Sequence, residues 1–211
     1  MQNPDDAAPR TMRAAATVVV VREVVQGRLE FLVLKRSSTS RFLPGFMVFP
    51  GGVVEPQDTR LAEEWFGSAA EAARACALRE LSEEVGLVVT GDGVIERPGG
   101  VPGGDGALPP PPLEALPEIA RWIAPEFIPV RFDARFFAVR AGSGMDPHPD
   151  GVEAERAWWG SAQELLEAAE AGDVQLMWPT LKTLQVLAEC SSVDEVLRLR
   201  IEQVPPPVRS S

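Results

Sequence analysis

Histidine and tyrosine are nearly missing from this sequence, which narrows the chemistry that its side chains can perform. The 211 residues include one histidine, His148, and no tyrosine. No serine stands in the G-x-S-x-G context in which a hydrolase places a nucleophilic serine, so we do not expect a Ser-His-Asp triad. If the protein is an enzyme, its catalysis should depend on carboxylates, arginines and a metal ion.

Cysteines, basic residues and long apolar runs are also scarce. Cys76 and Cys190 form neither a metal-ligand pattern nor a disulfide framework, which is typical of a reducing cytoplasm. Twenty Lys and Arg against thirty-one Asp and Glu give a net charge of −11, which argues against general nucleic-acid binding. The longest apolar run, AAATVVVV, is too short to span a bilayer, and the acidic, proline-containing start lacks the apolar core of a signal peptide. We therefore expect a soluble, cytoplasmic protein that binds neither nucleic acid nor membrane.

The order of predicted elements indicates an α/β (α+β) fold, with a mixed sheet between helices. Alternating or β-branched segments predict strands at residues 13–24, 27–36, 46–50, 87–89, 131–139 and 154–160. Helical patterns cover residues 61–85, 113–124, 161–172, 179–190 and 192–203. Gly67-Ser68 can end one helix and cap the next, and Gly86 stands where a left-handed helix cap belongs.

The composition divides the chain into an arm, one domain and a tail. Residues 1–12 are predicted to be a flexible N-terminal arm, residues 13–204 a single domain, and residues 205–211 a C-terminal tail. Within the domain, a proline- and glycine-rich stretch at about 97–112 should be an exposed loop.

The segment LRELSEEVGL, Leu78–Leu87, concentrates three acids on one helical face. Glu80, Glu83 and Glu84 lie at i, i+3 and i+4, opposite an apolar stripe. Repulsion at this spacing costs only about 0.2–0.5 kcal/mol per pair, so a plain solvated acidic face is one interpretation. Arg79 can pair with Glu83 at i+4 under either interpretation.

An upstream glycine pair favours a functional interpretation of these acids. The segment PGGVVEPQD is predicted to be a turn-rich loop. Its Gly51 and Gly52 allow close backbone approach, and Pro50 stiffens the entry from the strand. Carbonyl and carboxylate oxygens are the ligands of Mg²⁺ or Mn²⁺, and clustered carboxylates suit more than one ion. Such ions would bridge phosphate oxygens and activate water.

The acidic helix resembles the second half of the Nudix box, G-x5-E-x7-R-E-U-x-E-E-x-G-U, where U is aliphatic. The match runs without a gap from Glu71 to Leu87. The first half departs, because Trp65 stands where the box has its glycine, whereas counting forward from the Gly-Gly pair puts Asp58 in the first acidic position. An insertion at about 59–71 explains the difference and is similar to a long-insert subgroup that includes peroxisomal acyl-coenzyme A diphosphatases. Either Asp58 or Glu71 can fill the first acidic position.

A second pattern precedes the box and bears on the substrate. The segment LVLKRSSTSRFLPGFMVFPGG resembles the coenzyme A Nudix pattern L-L-T-x-R-[SA]-x3-R-x3-G-x3-F-P-G-G. The positions in register are Arg36, Ser37, Arg41, Gly45, Phe49, Pro50, Gly51 and Gly52, while Val33 and Leu34 depart. Guanidinium groups bind phosphate oxygens in a bidentate way, which suits Arg36 and Arg41 independently of the resemblance.

The resemblance implies a Nudix fold with extra C-terminal helices and assigns roles to residues. The carbonyl of Gly51, with Glu80, Glu83 and Glu84, would hold Mg²⁺ or Mn²⁺, and Arg79 would orient the glutamates. The resemblance makes Glu80, Glu83 and Arg79 the catalytic residues, and Arg36, Arg41 and Gly52 the substrate-binding residues. The general base would be Glu80 or a loop carboxylate; Glu153 is a candidate, although a solvated turn acid explains it better.

The implied activity is hydrolysis of coenzyme A or acyl-coenzyme A to 3′,5′-ADP and (acyl-)4′-phosphopantetheine. One alternative is a Nudix pyrophosphatase acting on ADP-ribose, a dinucleotide or a nucleoside triphosphate. Another is a Nudix-like regulator that binds a ligand without turnover, although such a module is expected to lose box carboxylates. A structural protein with an incidental acidic helix is the third. Family analogy also leaves a homodimer open.

Overall fold

The computed structural model describes residues 12–25, 27–40, 42–97, 110–126 and 130–206. The predicted N-terminal arm up to Thr11, most of the predicted loop at 97–112 and the last five residues lie outside these ranges. The division into one domain at 13–204 with an arm and a tail stays a prediction.

Ten strands and five α-helices lie in the described residues. The strands are β1 Met12–Val25, β2 Arg28–Arg36, β3 Phe46–Val48, β4 Gly51–Val53, β5 Leu87–Thr90, β6 Gly93–Glu96, β7 Glu118–Ile123, β8 Arg131–Arg140, β9 Ala154–Gly160 and β10 Gln175–Leu176. The helices are α1 Pro56–Phe66, α2 Ala72–Val85, α3 Ala162–Glu170, α4 Trp178–Leu187 and α5 Val193–Arg198. The longest of them, α2, has 14 residues, and no helix in the described ranges is long and apolar enough to cross a membrane.

Strand β1 is the centre of a mixed eight-stranded sheet with the order β10-β3-β2-β1-β8-β7. On one side, β1 pairs in parallel with β8 from Met12 to Val21. On its other side, the first half of β1 pairs with β4 (Thr17 opposite Gly51) and the second half with β2. Strand β9 pairs with β2, and β5 and β6 form a separate hairpin. The short β4 therefore presents the glycine pair beside the middle of the sheet.

Alternation along β1 divides the core into two layers. Val18 and Val20 pack with apolar residues of α2 in one cluster, whereas Val19 and Val21 pack with residues of α3, α4 and α5 in the other. Because successive strand side chains point to opposite faces, both faces of the sheet are covered by helices. The predicted α+β class, a mixed sheet between helices, is confirmed.

The helical region that leads to α2 is divided as the sequence predicts. Gly67 ends α1 in the left-handed conformation, at φ 69°, and the Ser68 side chain accepts from the Ala70 N–H at the start of the next turn. Gly86, at φ 67°, ends α2 in the same way. These caps fix the length of α2 and therefore the direction of its acidic face.

The prediction of a helix over residues 113–124 is wrong. A short 3-10 turn covers Leu113–Ala115, and the residues after Pro117 form β7. Proline disfavours a continuous helix here, and β8 offers a free edge on which Arg135 pairs with Glu118 across the strands.

Two other predictions need smaller corrections. The last helix ends at Arg198 rather than continuing to 203, because Ile201 forms a bridge to Ala120 of β7. The segment after Pro50, predicted as a loop, contains β4 and the first turn of α1. Pro56 at the start of α1 is in a favourable position, since the first turn needs no backbone N–H there.

Candidate active site

The glycine pair of β4 lets two α2 carboxylates approach the backbone. Gly51 has φ 155°, and a Cβ there would lie 2.3 Å from the carbonyl oxygen of Ala16, so no other residue fits. Its N–H donates to Glu84 Oε2 at 2.9 Å. A Cβ on Gly52 would lie 2.1 Å from Glu80 Oε1. The pair therefore creates the space in which Glu80 and Glu84 converge.

Glu84 is a buried carboxylate with too few partners. Only 2% of the residue is exposed, and its Oε1 has no hydrogen-bond partner. The nearest cationic atom is Arg36 Nη1, at 3.7 Å. Burial raises the pKa of Glu84 well above its ordinary value, and the charge of Glu80 raises it further, against the Gly51 N–H and Arg36. A cation next to Oε1 would relieve this unfavourable state.

Glu80 shares the cavity wall with Glu84 and is also desolvated. Its side chain is 13% exposed, and Oε1 lies 2.9 Å from Arg79 Nη2. Burial raises the pKa of Glu80 to about 7, although the Arg79 guanidinium opposes the shift. Near neutral pH this carboxyl group can therefore both hold and release a proton.

Arg79 ties the acids of the site together. Its Nε and Nη2 donate to the two carboxylate oxygens of Asp58, at 2.7 and 3.1 Å. Its Nη1 donates to Glu83 at 2.7 Å, which is the i+4 pair that the sequence allows. Glu83 is 48% exposed at the rim, so the three glutamates share one face but differ in environment.

Asp58, rather than Glu71, lies beside the acids of α2. Asp58 is fully buried, and it accepts the Glu55 N–H at the start of α1 as well as the two Arg79 donors. Glu71 pairs instead with Arg74, at the start of α2. The sequence left both residues open, because only the folded position of α1 brings Asp58, 21 positions away, to Arg79.

Arg36, which the sequence predicts to bind substrate, lies beside the acids but is not free. Its Nε donates to the carbonyl oxygen of Phe42 at 3.0 Å, and its Nη atoms lie 3.7 Å from Glu84 and 3.9 Å from Glu153. Arg41, the second arginine predicted to bind substrate, lies outside the described residues. Gly52 lines the cavity, and its role in substrate binding stays a prediction.

The loop that carries Glu153, a candidate base in the sequence, contacts the end of α2. The backbone N–H of Asp150 donates to the Glu84 carbonyl oxygen at 3.1 Å, and that of His148 to the Val85 carbonyl oxygen at 2.9 Å. The Asp150 carboxylate in turn accepts the N–H of Glu153, which places Glu153 at the rim of the cavity. The Asp-Gly turn at 150–151 was the available signal for this loop.

The donor set of the site fits a hard divalent cation. Carboxylates and a backbone carbonyl are the oxygen ligands that Mg²⁺ and Mn²⁺ prefer, and Glu84 Oε1 lacks a partner. In the described ranges, no group of three or more His, Cys, Asp or Glu side chains is arranged to hold a metal. Arg79 pairs with Glu83 and also contacts Glu80. Glu83 would have to exchange that contact for an ion.

A cavity of about 650 Å³ connects the acids with an apolar end. Glu80, Glu83, Glu84 and Glu153 line one part. Residues that line the remainder include Phe42, Leu43, Phe132, Phe136, Met177 and Pro179. This volume is typical of sites for small molecules the size of a nucleotide.

Comparisons of the sequence with known proteins identify one family. The model of the NUDIX domain matches residues 11–181, which is most of the chain. A Caenorhabditis elegans protein named "Putative nudix hydrolase 7" is 38% identical over 81 residues, which is 38% of this chain. The match covers 24% of that relative's length, so the chain corresponds to only part of it.

Comparisons of the structure agree with the sequence match. The crystal structure of a NUDIX hydrolase from Alicyclobacillus acidocaldarius superposes with a TM-score of 0.73 at 29% identity, covering 92% of this chain and 99% of that chain. The NUDIX domain of Shewanella oneidensis NrtR, solved with ADP ribose, gives a TM-score of 0.51 at 12% identity, covering 85% and 90%. The second similarity shows the fold alone.

Proposed function

We propose that this chain, which belongs to the Nudix family, is a pyrophosphohydrolase that cleaves the pyrophosphate of coenzyme A or acyl-coenzyme A. The products would be 3′,5′-ADP and (acyl-)4′-phosphopantetheine. The observation that carries the proposal is the buried Glu84 carboxylate, held against the Gly51 N–H beside Glu80, with one oxygen left unpartnered.

Divalent metal ions are a general requirement of Nudix enzymes, and we propose Mg²⁺ or Mn²⁺ here. The Gly51 carbonyl, Glu80, Glu83 and Glu84 are the ligands we assign. Bound ions would neutralise charge on the diphosphate and activate water. Two features support the assignment: the unpartnered Oε1 of Glu84, and the clash that any side chain at Gly52 would make with Glu80.

Arg79 is, in this proposal, the residue that orients the acids. Its bidentate contact with the buried Asp58 fixes the guanidinium, which then fixes Glu80 and Glu83 from one side. We assign proton transfer to Glu80, because its carboxyl group lines the cavity beside Glu84 and contacts Arg79. Glu153 at the rim is the alternative proton acceptor, as a loop carboxylate within reach of the cavity.

Coenzyme A is the substrate that the sequence pattern around Arg36 and Arg41 favours. Arg36 lies within 3.7 Å of Glu84, so a guanidinium stands at the same end of the cavity as the acids and can contact a phosphate there. The volume of the cavity, about 650 Å³, and its apolar lining also support a substrate larger than a diphosphate.

Incubation of the protein with a panel of diphosphates tests the substrate. Coenzyme A, an acyl-coenzyme A, ADP-ribose, a dinucleotide and a nucleoside triphosphate are each incubated with Mg²⁺ or Mn²⁺, and the products are identified by mass. We expect 3′,5′-ADP from coenzyme A or its acyl derivative. Cleavage of ADP-ribose with coenzyme A left intact would show that the inference from Arg36 and Arg41 is wrong.

Two matched variants test the site independently of substrate choice. Glu84→Gln removes the buried charge but keeps the shape of the side chain, and we expect it to abolish metal-dependent turnover of every active compound in the panel. Glu64→Gln makes the same change on the exposed surface of α1 and should behave as wild type. Equal turnover by the two variants would refute the metal assignment.

A further inference from the structure

Arg13 differs from the other arginines of the cavity. Among the described residues that line it, three are arginines: Arg13, Arg36 and Arg79. Arg36 and Arg79 contact carboxylates. No carboxylate in the part of the chain that the structure describes pairs with Arg13. Arg13 therefore has its whole hydrogen-bonding capacity free for a ligand.

Arg13 lies at the end of the cavity away from the glycine pair. Arg13, Ala15 and Thr17 share one face of β1, and all three line the cavity. Thr17 is opposite Gly51 of β4, so four residues of strand, about 13 Å, separate the level of Gly51 from Arg13. A ligand whose diphosphate is held at Glu80 and Glu84 can place a second anionic group at Arg13 if it extends along the cavity.

The floor between the two ends is open because its side chains are small. Strand β8 runs parallel to β1, with Ala134 beside Ala15 and Phe132 beside Arg13. Both alanines line the cavity. Along the cavity, the acids are therefore followed by the alanines and then by Arg13 next to Phe132.

Aromatic rings accompany Arg13 at this end. The rings of Phe42 and Phe132 lie 5.1 Å apart between centroids and are tilted by 56°. Phe42 is 45% exposed, and its carbonyl oxygen is held by Arg36 Nε. The next residue, Leu43, is the non-glycine residue with positive φ in the described chain, at 52°. The Phe42 ring is therefore presented to the cavity by a constrained loop, without being buried in the core.

An aromatic pair with one exposed ring, beside an unpaired guanidinium, suits a phosphorylated nucleoside. Aromatic side chains stack on bases of any type, and arginine binds phosphate through two parallel hydrogen bonds. We propose that Arg13, Phe42 and Phe132 form a nucleotide subsite, in which the base lies against the rings and a phosphate outside the diphosphate binds Arg13. This subsite rests on the proposed function, which places the diphosphate at the acidic end.

Binding of two nucleotides that lack a diphosphate tests the subsite without turnover. In the presence of Mg²⁺, calorimetry should show that the wild-type protein binds 3′,5′-ADP about tenfold more tightly than 5′-AMP, as expected for one charge-assisted contact at an exposed site. Arg13→Gln should abolish the preference for 3′,5′-ADP, and Phe132→Leu should weaken the binding of both nucleotides. Arg60→Gln, the same change at an exposed arginine of α1 outside the cavity, should leave the preference intact.

A comparison of the 3′- and 2′-phosphates shows which kind of nucleotide the subsite binds. Binding of 3′,5′-ADP in preference to 2′,5′-ADP supports a coenzyme A-type nucleotide. The reverse preference, if Arg13→Gln removes it, supports the subsite for a 2′-phosphorylated dinucleotide. A wild-type protein that does not distinguish either compound from 5′-AMP, or an Arg13→Gln variant that retains the preference, overturns the subsite.

Turnover separates failure of the subsite from failure of the proposed function. If coenzyme A is hydrolysed and Arg13→Gln does not change the ratio of its KM to that of dephospho-coenzyme A, the subsite is wrong and the proposed function stands. If coenzyme A is not hydrolysed but the preference for 3′,5′-ADP depends on Arg13, the subsite stands and the substrate assignment is wrong.

Discussion

Replacing Glu80 by glutamine should stabilise the metal-free protein, and the gain should depend on pH. Glu80 Oε1 would lie only 2.1 Å from a Cβ on Gly52, in a desolvated position, where burial raises the pKa of the carboxyl group from 4.5 to about 7. Glutamine has nearly the same shape and carries no charge, so it avoids the cost of ionising a carboxyl group at this place.

The magnitude follows from the two pKa values. One pKa unit corresponds to about 1.4 kcal/mol, so ionised Glu80 lowers the free energy of unfolding by about 3 kcal/mol at pH 8. Between pH 4.5 and 7 the folded state binds this proton more strongly than the unfolded state. The stabilising contribution of the Glu80 carboxyl group is therefore fully present below the pKa of the unfolded state, 4.5. It is lost as the pH rises through the pKa of the folded state, about 7. About 2 kcal/mol of the loss should develop between about pH 5.5 and 8, above the isoelectric point near 4.7.

Urea unfolding with a chelator, at pH 5.5 and at pH 8, measures the effect. The stability advantage of Glu80→Gln over wild type should be about 2 kcal/mol larger at the higher pH. Glu64→Gln, on the exposed face of α1, is the matched control and should show no such trend. An advantage of Glu80→Gln that is equal at both pH values would refute the claim that Glu80 is strained by desolvation.

Three further substitutions test other parts of the site. Glu83→Gln should lower Mg²⁺-dependent hydrolysis by orders of magnitude with an unchanged circular dichroism spectrum, and near-normal turnover would remove Glu83 from the ligand set. Gly52→Ala should displace the Glu80 carboxylate and lower kcat by about 10²-fold without unfolding the protein; unchanged kcat would contradict the close approach. Asp58→Ala leaves Arg79 without its buried partner and should lower the free energy of unfolding by about 3–5 kcal/mol, measured in urea; a loss below about 1 kcal/mol would mean that the pair is not structural.

Elements with a strong local pattern were predictable from the sequence. The β-branched run in β1 and the two glycines that end α1 and α2 specify their conformations by themselves. The segment 113–124 does not specify its conformation by itself. Its apolar spacing fits a helix, whereas Pro117 and the edge of β8 favour a strand. Tertiary pairing decided this element, and one sequence cannot supply that information.

In the candidate site, too, the sequence predicts local geometry but not the effects of tertiary contacts. The i and i+4 spacing correctly places Glu80 and Glu84 on one face of α2. It cannot distinguish the buried Glu84 from Glu83, 48% exposed, because the difference arises from Gly51 on one side and Arg79 on the other. The roles of these residues in metal binding and catalysis stay predictions.

Crystals soaked in Mn²⁺ and measured at the manganese absorption edge would test the central claim most directly. We predict an anomalous peak at coordination distance from Glu84 and from at least one of Glu80 and Glu83, next to the Gly51 carbonyl. Crystals of active protein that show no manganese within coordination distance of these carboxylates would contradict it.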